Sequence, residues 1–130
     1  MTLEERLKTA AELRAAGYNC AQATILPFAE ETGLDADTLT AATSALGSGV
    51  AAQREICGVA NAIAIARGLI NAPLRLSKKE ASDDAARHIR LFREANGAIR
   101  CADLKSLPGC RTCNELVAQG VEILHNSLND

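Results

Sequence analysis

Four segments of this 130-residue chain carry the signature of a helix N-terminus, and they constrain its fold more than any other feature. In each segment a polar residue stands three positions before Glu or Gln. That is the spacing of a capping box, in which two side chains satisfy the free backbone N–H groups at the start of a helix. The four pairs are Thr2 with Glu5, Asn19 with Gln22, Ser77 with Glu80, and Thr112 with Glu115. Since no segment shows the alternating pattern of a half-buried strand, we predict a helical protein.

The periodicity of apolar residues predicts the extent of the helices, and it singles out one of them as central. The predicted ranges are 3–16, 20–32, 36–46, 56–71, 78–96 and 113–128. The fourth range is apolar nearly all round, which is typical of a buried helix. Pro27 falls inside the second range and predicts a kink there, because proline lacks a backbone N–H. We therefore predict an all-α fold: a compact single-domain bundle, residues 1–130, of about five to six helices around a buried central helix.

Composition excludes several classes of function. Aromatic residues make up only 2% of the chain against 48% hydrophobic residues, so the core is expected to consist of Ala, Leu, Ile and Val. The net charge is −2 and no basic face is visible, which argues against a nucleic-acid partner. No apolar stretch approaches the ~18 residues of a membrane span, and the N-terminus does not resemble an export signal. We expect a cytoplasmic protein with no membrane association.

Five cysteines are the candidate functional residues. Cys20, Cys57 and Cys113 fall at predicted helix N-termini, where free N–H groups and the helix dipole favour negative charge. This environment lowers the pKa of a thiol, and the thiolate is the form that attacks disulfides and binds metals. Cys101 and Cys110 fall in a segment predicted to be a loop. The alternative for any one cysteine is that it serves as a small apolar core residue.

The sequence resembles the C_GCAxxG_C_C family of redox-active proteins, named for its cysteine pattern. The resemblance rests on "YNCAQ", "ICGVANA", "RCADL" and "CNELVAQGVEIL", which together run over nearly the whole chain. It implies that the family cysteines are Cys20, Cys57, Cys101 and Cys113, and it leaves Cys110 as an additional thiol. The chain departs from the family after Gly58, with Val59 and Ala62 where the family has alanine and glycine.

The first functional hypothesis is a metal or Fe–S centre for electron transfer. Four thiolates from separate segments are a suitable ligand set for a cluster. The predicted ligands are Cys20, Cys57, Cys101 and Cys113, with Gly58 as a cofactor-binding residue whose backbone can approach closely. Cys110 and Cys113 also have the CxxC spacing of a chelating pair. We favour this hypothesis at the level of sequence, because ligands from four segments suit a cluster better than a dithiol.

The second hypothesis is thiol–disulfide exchange with a redox partner protein or a small thiol. Here Cys113 is the attacking thiolate and Cys110 or Cys101 resolves the mixed disulfide. Cys20 and Cys57 are a candidate second pair. Arg111, between the two cysteines of the CxxC, either stabilises a thiolate at Cys113 or is an ordinary exposed loop residue.

A third hypothesis assigns the protein no redox function. It describes the chain as a helical assembly or binding module, for example a homodimer, whose cysteines are buried structural residues. Helix-terminal placement of three cysteines argues against it. Whether the protein is an enzyme is left open by the sequence.

Overall fold

The computed structural model describes residues 1–129, and the described chain is built from α-helices. They are α1 (Leu3–Ala15), α2 (Cys20–Ile25), α3 (Ala29–Thr32), α4 (Ala36–Ala42), α5 (Gly58–Ile70), α6 (Lys78–Asn96), α7 (Cys101–Ser106) and α8 (Cys113–Ser127). Within residues 1–129, β-type pairing is limited to an isolated antiparallel bridge between Ile56 and Arg100. The all-α prediction is confirmed, and within residues 1–129 the helices are somewhat more numerous than the predicted five to six.

All four predicted capping boxes form. The side chains of Thr2, Asn19, Ser77 and Thr112 each accept a hydrogen bond from the backbone N–H three residues later, and the Glu or Gln there caps in return. The cap at Thr112 fixes Cys113 as the first residue of α8, and the cap at Asn19 fixes Cys20 as the first residue of α2. Local sequence therefore determines where two of the cysteines lie.

Pro27 interrupts the second predicted helix, as expected. The chain passes from α2 through a 3₁₀ turn at Leu26–Phe28 before it resumes as α3. Because proline cannot donate the backbone hydrogen bond of a continuing helix, the break occurs at this residue.

The core is centred on α5, which packs against α2, α3, α6 and α8. Val59 and Ile63 of α5 are fully buried together with Phe28 and Leu124. Small residues dominate its surface, so neighbouring helices approach it closely. The prediction of a buried central helix is confirmed. Across residues 1–129, every helix falls short of the combination of length and apolar character that crossing a membrane demands.

One helix boundary is shifted by two residues, and one local prediction was wrong. The fourth helix begins at Gly58 rather than at residue 56, because Ile56 pairs with Arg100 in the bridge. The segment predicted to be a loop around Cys101 contains α7. Arg100, the residue before α7, makes no side-chain capping bond, so the usual signal of a helix start is missing there.

Candidate functional site

Four cysteines line one small cavity of about 60 Å³. They are Cys20, Cys57, Cys101 and Cys113, which come from four different segments of the chain. Cys57 and Cys101 are 7% and 8% exposed, while Cys20 and Cys113 are partly exposed. Burial of this kind keeps bulk water away from the two inner thiols and leaves the outer pair accessible from one side.

Helix starts position all four thiols. Cys20, Cys101 and Cys113 are the first residues of α2, α7 and α8, and Cys57 is the residue immediately before α5. The bridge brings two of these starts together: Cys57 N–H donates to Ile99 O at 2.8 Å, and Cys101 N–H donates to Glu55 O at 2.7 Å. The cysteine cavity is thus enclosed by the positive ends of helices, of which α5 and α8 are the long ones.

Cys113 is the thiol best placed to ionise. The Lys105 ammonium lies 3.0 Å from its Sγ. Burial opposes ionisation of Cys113, but the hydrogen bond and charge of Lys105, with a hydrogen bond from Cys20, hold its pKa below the ordinary value. Correspondingly, the Cys113 thiolate raises the pKa of Lys105. The two shifts are consistent with each other, and both favour the ionised forms of Cys113 and Lys105 at the edge of the cavity.

Cys20 has the opposite tendency. Burial, followed by the nearby Cys113 charge, raises the pKa of Cys20 to about 11, although Arg14 acts against the shift. Cys20 therefore favours its protonated form, and as a thiol it can act as a hydrogen-bond donor to Cys113. A thiolate and a thiol in hydrogen-bond contact are the starting arrangement for formation of a disulfide.

The two inner thiols have different surroundings. Burial raises the pKa of Cys57, and the backbone amides of Val59 and Ala60 offset part of that shift. Cys101 Sγ lies 4.0 Å from a guanidinium nitrogen of Arg54. Arg54 therefore reaches the thiol of Cys101, which lies 47 positions away in the chain.

A strained loop forms one wall of the cavity. Five non-glycine residues of the segment 48–54 have positive φ angles, between 49° and 66°: Ser48, Val50, Ala51, Ala52 and Arg54. This left-handed conformation costs about 1 kcal/mol or more for each residue that has a Cβ. Ser48, Gly49 and Arg54 of the loop line the cavity. Backbone strain concentrated at such a wall is typical of functional sites.

Tight packing surrounds Gly58 and Val59. A Cβ at Gly58 would lie 3.0 Å from Leu46 O and 3.1 Å from Ala21 N, so this glycine lets the start of α5 approach neighbouring backbone. Its assignment as a cofactor-binding residue stays a prediction. Val59 fills space left open by Gly120 of α8, where a Cβ would overlap Val59 Cγ1.

Cys110 and Arg111 lie outside the cysteine cavity. Cys110 is exposed and borders a separate groove of about 330 Å³. Arg111 donates to Ala95 O at 3.0 Å and to Asn96 Oδ1 at 2.7 Å, so it anchors the loop to the end of α6. Its role as a partner of the Cys113 thiolate falls instead to Lys105.

The donor set does not fit a single metal ion. Among residues 1–129, no three or more His, Cys, Asp or Glu side chains converge on a point where an ion would be held. A mononuclear site needs such convergence. The assignment of Cys20, Cys57, Cys101 and Cys113 as metal ligands stays a prediction.

Lys105 is the functional residue that sequence reasoning missed. It lies in the last turn of α7, four residues after Cys101. The position of Lys105 could be predicted from sequence only if α7 itself were predicted. Because the sequence predicts a loop here, it does not predict a contact between Lys105 and Cys113.

Comparison with known proteins agrees with the cysteine pattern. A search of curated proteins and a search of solved structures each found no significant match. A family model described as "Putative redox-active protein (C_GCAxxG_C_C)" matches residues 18–127, which include all five cysteines. Since this match spans most of the 130 residues, the chain belongs to the C_GCAxxG_C_C family of redox-active proteins.

Proposed function

We propose that the protein is a two-electron thiol–disulfide redox protein whose working couple is Cys20 and Cys113. The observation that carries the proposal is that Lys105 Nζ lies 3.0 Å from Cys113 Sγ, while Cys20 lines the same cavity as Cys113. Lys105 stabilises the attacking thiolate, and Cys20 is the neighbouring thiol whose interaction with Cys113 shifts the pKa of both. This pairing replaces Cys110 or Cys101 as the resolving partner and Cys57 as the partner of Cys20.

The reaction follows from the two ionisation states. The Cys113 thiolate attacks one sulfur of an acceptor disulfide, forms a mixed disulfide and expels the other sulfur as a thiolate. Cys20 then loses its proton to solvent and attacks Cys113 Sγ. The second acceptor sulfur leaves as a thiolate, and a Cys20–Cys113 disulfide remains. Two electrons pass from the protein to the acceptor, and an external thiol restores the reduced couple.

The experiment that tests this function is a redox titration of the purified protein in dithiothreitol buffers, with the disulfides mapped by tandem mass spectrometry. We expect one two-electron transition and a Cys20–Cys113 linkage in the oxidised protein. Cys20→Ser removes that linkage, whereas Cys57→Ser retains it. A dominant disulfide between other cysteines, or none at all, contradicts the proposed couple.

A second candidate is ligation of an Fe–S cluster by Cys20, Cys57, Cys101 and Cys113. One observation favours it: four thiols from four segments line the same cavity. Four cysteine thiolates would hold a [2Fe–2S] or [4Fe–4S] cluster, which is larger than a single ion, so the sulfurs need not converge on one point. Such a cluster, when bound, supplies one-electron transfer. Lys105 then neutralises charge beside Cys113.

The two candidates separate in one preparation. The protein is purified without oxygen, and its visible spectrum, iron and acid-labile sulfide are measured. Brown protein with stoichiometric iron and sulfide, lost in Cys57→Ser and in Cys101→Ser, supports the cluster. Colourless protein that still shows the two-electron Cys20–Cys113 transition supports the dithiol.

A further inference from the structure

We propose that Cys110 is a relay thiol that transfers reducing equivalents from a low-molecular-weight thiol in the surface groove to the Cys20–Cys113 couple in the cavity. This inference rests on the proposed dithiol function. It concerns the one cysteine outside the cavity, and it assigns that residue to the step that reduces the Cys20–Cys113 disulfide again.

The first support is a difference in access. Cys20 and Cys113 are only partly exposed at a cavity of about 60 Å³, whereas Cys110 is exposed and borders a groove of about 330 Å³. The larger volume is in the range of small-molecule sites. The groove is also partly apolar, with Leu104, Leu107 and Pro108 among its walls.

The second support is the adjacency of the two spaces. Leu104 and Leu116 line both the groove and the cysteine cavity, so a single layer of side chains separates them. The rate of thiol exchange depends on access of the attacking sulfur to its target. Cys110 lines the groove that shares these two leucines with the cavity, and it lies three residues before Cys113.

The third support is that Lys105 interacts with both thiols. Cys110 Sγ–H points to Lys105 O at 4.0 Å, while Lys105 Nζ lies 3.0 Å from Cys113 Sγ. The Lys105 ammonium also interacts electrostatically with Cys110. The Lys105 ammonium can thus stabilise a thiolate at Cys113 and, more weakly, a thiolate at Cys110.

The fourth support is a turn that presents Cys110. Leu107 O accepts from Cys110 N–H at 3.2 Å, and Gly109 has a φ of +66°. Proline followed by glycine inside such a turn is the type II pattern. Arg111 anchors the next position to the end of α6, so Cys110 is held on the groove three residues before Cys113.

The relay has three balanced steps. The Cys110 thiolate attacks Cys113 Sγ of the Cys20–Cys113 disulfide; a Cys110–Cys113 bond forms, and Cys20 leaves as a thiolate that takes a proton from solvent. A small thiolate in the groove then attacks Cys110 Sγ, and Cys113 leaves as the thiolate beside Lys105. A second small thiolate attacks the mixed disulfide and releases Cys110. Two external thiols become one external disulfide, and the protein gains two electrons.

The test compares wild type with Cys110→Ser, starting from protein that carries the Cys20–Cys113 disulfide and using reduced glutathione as the probe. We expect re-reduction of the variant to slow by at least about tenfold, because direct attack inside the cavity is hindered. The equilibrium reduction potential of the couple should stay unchanged, because a relay alters the path and not its end points. In Cys20→Ser, oxidation should give a Cys110–Cys113 disulfide.

Each outcome has a distinct meaning. Equal re-reduction rates for wild type and Cys110→Ser overturn the relay and leave the proposed couple intact. A shifted potential in Cys110→Ser also overturns it, since the substitution then acts through structure. If wild-type protein never forms the Cys20–Cys113 disulfide, the proposed function fails, and the relay fails with it.

Discussion

Lys105 Nζ lies 3.0 Å from Cys113 Sγ and is the charged partner of the cysteine that opens α8. The contact joins the last turn of α7 to the first turn of α8. Because α7 also begins with Cys101, one short helix supplies both a cavity thiol and the cation that stabilises another.

Removal of this cation should slow the reaction of Cys113 with alkylating agents. Without Lys105 the pKa of Cys113 rises, so less thiolate is present at pH 7, and the pH profile of alkylation moves to higher pH. For Lys105→Gln we expect a roughly fivefold lower rate, since a partly exposed charge-assisted contact contributes about 1 kcal/mol. The measurement is iodoacetamide labelling of Cys113, followed by peptide mass spectrometry.

Lys78→Gln is the matched control, because Lys78 is an exposed lysine at the start of α6. It should leave the labelling profile of Cys113 unchanged. Equal profiles for Lys105→Gln and Lys78→Gln show that Lys105 does not stabilise the thiolate.

The helix starts could be predicted from sequence because a capping box is a local interaction. Thr112 and Glu115 lie three residues apart and need no tertiary contact to fix where α8 begins. The same holds for Asn19 and Gln22 at α2. Local patterns are therefore sufficient to place Cys20 and Cys113 at helix starts.

Which residues meet in the site depends on contacts between segments far apart in the chain, and such contacts cannot be predicted from a single sequence. Cys57 and Cys101 approach because Ile56 pairs with Arg100, 44 positions away in the chain. Lys105 reaches Cys113 because α7 forms without a side-chain cap at Arg100. Nor does the composition of the segment 48–54 indicate its left-handed backbone, since valine, alanine and arginine have no special preference for that conformation.

A buried ion pair away from the cysteines should control acid stability. Arg67 donates to both carboxylate oxygens of Asp84 at 2.9 Å, and Arg87 adds a third contact. The hydrogen bonds from Arg67 outweigh burial and lower the pKa of Asp84 to about 2. An unfolded Asp has a pKa of about 4, so the stabilisation is fully present above pH ~4 and is lost as the pH falls toward 2.

Asp84→Asn should therefore lower the free energy of unfolding at pH 7 by about 3 kcal/mol, because it leaves the Arg67 charge without its buried partner. The variant should also lose less stability than wild type as the pH falls from ~4 toward ~2. The matched control is Asp83→Asn, which removes an exposed ion pair with Lys79 and should cost less than ~0.5 kcal/mol. Urea unfolding at several pH values measures the stability of both variants and its pH dependence. Similar losses for the two variants contradict a stabilising role for the Arg67–Asp84 pair.

Backbone strain in the cavity wall predicts stabilising substitutions. Ala51 and Ala52 have φ angles of 49° and 62° and are exposed, so glycine relieves strain without loss of core packing. Each of Ala51→Gly and Ala52→Gly should raise the free energy of unfolding by about 0.5–1 kcal/mol, after the entropy of glycine in the unfolded chain is subtracted. Ala81→Gly, in the exposed interior of α6, should instead lower it by about 1 kcal/mol. Destabilisation by all three substitutions, measured by urea unfolding, rules out relief of strain.

Val59 and Gly120 should be coupled, because the side chain of one fills the space that the other lacks. A Cβ at Gly120 would overlap Val59 Cγ1 and lie 3.2 Å from Thr24 Cγ2. Gly120→Ala should therefore destabilise the protein by about 1–2 kcal/mol, since overpacking outweighs the better helix propensity of alanine. The double variant Val59→Ala/Gly120→Ala lacks the overlapping methyl group. We therefore expect it to be more stable than the sum of the two single substitutions predicts, by at least ~1 kcal/mol.

A double-mutant cycle of urea unfolding measures this compensation, and Gly68→Ala is the control for helix propensity alone. Gly68 lies in α5, and a Cβ there would meet no neighbouring atom within 4 Å, so alanine should stabilise by about 1 kcal/mol. Additive effects of the Val59 and Gly120 substitutions contradict direct packing between α5 and α8 at this point.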